Sequence, residues 1–83
     1  MESVITSPKM LGHQLKRFRK KKKLSQTAAG QPFCLEQSTI SSIEQGANGT
    51  RLDTLFRLLA ALDIEMVIRD KSHSPLVVTK EDW

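Results

Sequence analysis

The chain has a single cysteine, Cys34, so no intramolecular disulfide can staple it, and that usage fits a reducing compartment. Aromatic residues make up only 5% of the 83 positions, which argues against a surface built to stack single-stranded bases. No apolar run approaches the roughly 20 residues needed to span a bilayer. Glu2, with no apolar stretch behind it, does not read as a secretory leader, so the expectation is cytoplasmic, with no membrane partner. His13 and His73 lack metal-ligand spacing with other donors, and no metal or cofactor is expected. Neither paired carboxylates, nor a nucleophile with a base, nor a glycine-rich phosphate loop can be assembled, so no enzyme is expected.

Acid is missing too, from Lys9 to Leu35, and this absence is positive information. Lys9, Lys16, Arg17, Arg19 and the run Lys20 to Lys23 face no local countercharge within a chain of formal charge +4. So one-sided a stretch suggests a polyanion, although a lysine run also suits a solvated helix end. The length allows one compact domain and excludes a catalytic domain beside a binding domain. A core this small often completes its burial by oligomerising.

Ser7 and Pro8 predict a helix start, since serine can cap free amides and proline at the first helical position wastes no donor. Leu11, Leu15 and Phe18 then form one apolar stripe. Ser25 can cap a second helix from Gln26, shortened or kinked by Gly30 and Pro32. A third helix is predicted over about Glu36 to Gln45, burying Leu35, Ile40 and Ile43 and stopping at Gly46. Its other side carries Gln37, Ser38, Thr39, Ser41 and Ser42. Thr50 with Asp53 approximates a capping box for a fourth helix whose core residues would be Leu52, Leu55, Phe56, Leu59 and Leu62.

Beyond Asp63 the period changes to two, and Ile64, Met66 and Ile68 predict a strand. Such a strand either folds against the domain or pairs with the same strand of a second copy, and the second arrangement is favoured. Residues 1–6 are expected to be a flexible lead, 7–69 the domain, and 70–83 a flexible tail in which Leu76 and Trp83 are candidate docking residues for a protein partner.

Two short helices joined by a tight turn, the second presenting small polar and amide side chains, fit the DNA major groove. Gln37, Ser38, Thr39 and Ser42 are the candidate base readers. Gln26, with the free amides near it, is placed to hold a phosphate, while Ser25, Ser41, Asn48, Thr50 and Arg51 are further backbone-contact candidates.

The runs LSQTAAG, STISSIEQG and RLDTLFRLLAALDI, spread over Leu11 to Ile64, resemble the Xre-type helix-turn-helix repressors of phages and bacteria. Within that family the chain is similar to the HipB antitoxins in the SP that opens helix one, the strand after helix four and the Glu81, Asp82, Trp83 terminus. The resemblance implies an all-α, lambda-repressor-like domain of four to five helices with one C-terminal strand pairing across a homodimer. It also implies binding to an inverted repeat in double-stranded operator DNA, repression of the chain's own operon, and restraint of a HipA-type serine/threonine kinase toxin. A stand-alone phage-type repressor and a non-specific nucleic-acid binder are the alternatives.

By the same resemblance, Gln26 takes the phosphate-clamping slot, Gln37, Ser38, Thr39 and Ser42 the base-reading slots, and Arg19 with Glu44 a buried ion pair. The chain departs from the pattern at Ala29, at Gly30, at Pro32 inside helix two, and at Cys34, where glycine is usual. These departures predict a loosely packed helix two and a strained, left-handed Cys34.

Overall fold

The structure, a computed structural model, describes residues 3–71, so the docking candidates Leu76 and Trp83 lie outside it. Four α-helices follow one another: α1 Pro8–Lys21, α2 Gln26–Gly30, α3 Gln37–Glu44 and α4 Leu52–Ala61, with a 3-10 turn at Gln31–Phe33 after α2. Among the described residues there is no strand. Ile64, Met66 and Ile68 carry no regular structure, because a strand exists through its ladder and no second segment among the described residues supplies one.

The helix starts follow from their caps. Ser7, at φ −154°, accepts the Met10 amide at 3.1 Å with Pro8 just inside the helix, and Ser25 accepts the Ala28 amide at 3.0 Å. α4 begins differently from expectation. Arg51 is its N-cap and makes no side-chain cap, while Asp53 accepts Arg51 Nε at 3.1 Å instead of closing a box with Thr50. The guanidinium beside it is the stronger partner for a carboxylate.

Three helices stop in one way. After α1 the Lys23 amide returns to Lys20 and the Leu24 amide to Arg19; after α3 Gly46 returns to Ile43 and Ala47 to Ser42; after α4 Asp63 returns to Ala60 and Ile64 to Leu59. Each is a Schellman cap with a left-handed pivot, at Lys23, Gly46 and Asp63. Proline at position 32 ends α2, since it has no amide for an α-helical bond, and the chain tightens into the 3-10 turn. Cys34 then adopts φ 58°, ψ 40°, the left-handed conformation expected of it.

Leu15, Ala29, Leu35, Ile40, Ile43, Leu55, Leu58, Leu59 and Leu62 form the core. α1 packs on α3, and α2 bridges α3 and α4. The expected core of α4 needs correction: Leu52 is 69% and Phe56 52% exposed, whereas Leu58, not singled out from sequence, is fully buried. At 100° per residue Leu55, Leu58, Leu59 and Leu62 share one arc, and Leu52 with Phe56 fall on its flank.

Helix two is not loose. A methyl group added at Gly30 would lie 2.5 Å from the Leu35 carbonyl oxygen and 2.7 Å from Ile40 Cδ1, so the absence of a side chain is what lets α2 close on α3. Gly12 serves α1 likewise, since an added methyl would meet the Glu44 carbonyl oxygen at 2.6 Å.

Candidate nucleic-acid interface

Helical geometry sorts the polar residues of α3. Gln37, Ser38 and Ser42 are exposed, while Thr39, next to the arc of buried Ile43, is half-buried at the margin of the face. Ser41 is half-buried as well, and its hydroxyl accepts Gln45 Nε2 at 3.0 Å. Ser25 is occupied as the α2 cap. Asn48 and Thr50 line a 260 Å³ cleft together with Ile5, Leu11, Ile43 and Leu55. Arg51 is well exposed and held by Asp53.

Behind this face runs a polar network. Arg19 Nε meets Glu44 Oε2 at 2.6 Å and Arg19 Nη2 meets Oε1 at 3.0 Å, with both side chains under one-tenth exposed. Arg19 Nη1 donates to the Leu24 carbonyl at 2.7 Å, tying α1 to the entry of α2. Gln26 Nε2 donates to the same Glu44 Oε1 at 3.0 Å, and Gln37 Nε2 donates to Gln26 Oε1. The phosphate-clamp candidate and the first base-reader candidate are therefore joined to each other and to the ion pair. Sequence reading treated these as separate parts, because the bonds cross 11 to 25 residues and leave no local pattern.

Sequence reading also passed over Arg57. From α4 its Nη1 reaches the carbonyls of Phe33 and Cys34, each at 3.4 Å, and so braces the left-handed turn between α2 and α3.

Burial pushes the Glu44 carboxyl up, but the bonds from Arg19 and Gln26 and the positive charges of Arg19 and Lys16 outweigh it and hold the group below its ordinary value. The Arg19 guanidinium, chiefly through its bond to Glu44, is held above its own. A carboxyl depressed on folding contributes stability at and above its ordinary value of 4.5, and loses it as the pH falls through the lower folded value. Urea midpoints measured from pH 7 downward should hold until that range and then fall. In Glu44→Gln the acid-side fall should be shallower, and an unchanged profile would remove Glu44 from the cause.

A family model described as a helix-turn-helix domain matches residues 10–67. Antitoxin HipB of Escherichia coli K12 is 32% identical over 72 residues, covering 86% of this chain and 82% of its own, and antitoxin HipB of Escherichia coli O6:H1 is 30% identical over 79 residues, covering 94% and 84%. The chain belongs to the HipB family of helix-turn-helix proteins. Among solved structures, "HipB-O4 20mer complex" and "Structure of HipA-HipB-O2-O3 complex" each superpose with a TM-score of 0.81 at 28% identity, covering 86% of this chain and all of the HipB chain. Among the described residues no helix is long and apolar enough to cross a membrane, and no group of three or more His, Cys, Asp or Glu side chains could hold a metal ion.

Proposed function

We propose that the chain is a DNA-binding antitoxin that binds an inverted repeat in double-stranded operator DNA as a homodimer, represses its own operon and restrains a HipA-type serine/threonine kinase. The observation that carries the reading is the polar face of α3, whose first residue, Gln37, is hydrogen-bonded to Gln26 at the start of α2. That pairing sets an amide suited to a base edge beside one suited to a phosphate.

Gln37, Ser38, Thr39 and Ser42 read bases from the major groove. Gln26 clamps the backbone, with Ser25, Ser41, Asn48, Thr50 and Arg51 around it, and the exposed Lys20 to Lys23 add to the salt dependence. Ile64, Met66 and Ile68 pair across the dimer, a role supported by the exposure of Met66 and Ile68 and of Leu52 and Phe56 nearby in sequence, while Ile64 packs against the core. The HipA partner is supported by the related HipA-HipB-O2-O3 complex.

Selection of bound duplexes from a random pool should return a palindrome with half-sites about one or two helical turns apart. On that duplex Gln37→Ala and Thr39→Ala should each cost about 1 to 3 kcal/mol while sparing non-specific DNA. Equal losses on both kinds of DNA would remove these residues from base reading.

A further inference from the structure

The bonds behind α3 have a direction. Glu44 is an ionised, buried carboxylate and can only accept, so Arg19 and Gln26 must both turn donors toward it. With its NH2 group aimed at Glu44, Gln26 presents its carbonyl oxygen to Gln37, since turning the amide over would set that oxygen against the carboxylate, and Gln37 answers with its own NH2 group. Every donor in the series therefore points inward, from Gln37 through Gln26 to Glu44. Gln37 is left with its Oε1 and one N–H free, in one orientation.

That pair of groups is not neutral toward bases. Adenine offers N7 as an acceptor and its N6 amino group as a donor, which complement an N–H and an oxygen. Guanine offers two acceptors, N7 and O6, so the fixed Oε1 would face a lone pair. A glutamine free to turn its amide over could point NH2 at guanine instead.

We propose that Glu44, acting through Gln26, fixes the orientation of the Gln37 amide and so sets a preference for adenine over guanine at one base pair of each half-site. This rests on the DNA-reading function proposed above. Glu44 and Gln26 act here as positioning residues for Gln37, at one and two removes from the base.

The test uses the full chain and 20-base-pair duplexes carrying the selected inverted repeat, with all four base pairs placed in turn at each position. Glu44→Gln keeps the shape of the side chain but gives it an amide that can face either way, so the series can run in reverse. Gln26→Ala leaves the ion pair in place and removes the link. Both variants should lower the adenine-over-guanine ratio at the same base pair by roughly tenfold, the discrimination worth of one bidentate contact, and leave the ranking of bases elsewhere unchanged. If Glu44→Gln folds poorly, Gln26→Ala decides alone. Gln26→Ala also loses a phosphate contact and so some affinity at every position alike; an even loss with the adenine-over-guanine ratio unaltered overturns the proposal. A pool that yields no preferred sequence with the wild-type chain overturns the DNA reading itself and the role of Glu44 with it.

Discussion

Arg19→Ala should cost about 3 to 5 kcal/mol of folding stability, because it leaves the Glu44 carboxylate buried without its main partner. Both side chains are almost out of contact with water, 8% and 4% exposed, so neither charge can recover its hydration when the other is removed. For a domain of this size total stability is of the order of 5 to 10 kcal/mol, and the variant should be largely unfolded under mild denaturant. Glu44→Ala should behave similarly, with the guanidinium stranded instead. Circular dichroism against urea measures both. Replacing the pair together, Arg19→Met with Glu44→Leu, should restore most of the loss, since two apolar groups of similar volume carry no desolvation cost. Single variants that lose less than about 1 kcal/mol would mean that the pair behaves as an exposed one.

Gly12→Ala should lower the melting temperature, against the usual rule that alanine stabilises a helix interior by about 1 kcal/mol relative to glycine. The new methyl group would meet backbone carbonyls at the end of α3, of Ile43 and of Glu44, and a carbonyl cannot swing aside as a side chain can. α1 would have to lift from α3, straining the Arg19–Glu44 contact that spans the same two helices. Overpacking of this kind costs about 1 to 3 kcal/mol, which corresponds to a drop of roughly 4 to 24 °C for a domain this small. Gly49→Ala is the control, because nothing lies within 4 Å of the added methyl group there. If calorimetry finds Gly12→Ala as stable as the wild type, the close approach of α1 to α3 is wrong.

What could be read in the sequence was what is encoded locally. Ser7 with Pro8, Ser25 before Gln26, and Gly46 after Glu44 announce helix ends because capping is a matter of adjacent residues. The four helices and the break at Pro32 followed from periodicity and proline chemistry. Arg19 and Glu44 could be paired only through the family resemblance, since an arginine among lysines carries no mark of burial in itself.

The misses are non-local or competitive. Leu52 and Phe56 have the right spacing for a core but sit on the flank of the buried arc, and a pattern of apolar residues cannot tell a core from an edge left for another molecule. Thr50 lost its cap role because Arg51 takes the Asp53 carboxylate. Gly30, read as a weakness, proves to be a requirement of close packing, visible only once Leu35 and Ile40 are in place. Arg57 reaches carbonyls more than 20 residues away, and no spacing rule points there.

Lys23, Cys34 and Asp63 all hold left-handed backbone without being glycine. Each such position costs about 1 kcal/mol relative to a residue without a β-carbon, and all three are exposed and outside the set proposed to read bases. The domain therefore stands below the stability its own backbone would permit. That unspent margin gives the fold room to evolve: glycine at these pivots would offset costly changes on α3, so its exposed polar face could be rebuilt without the domain falling below the threshold for folding.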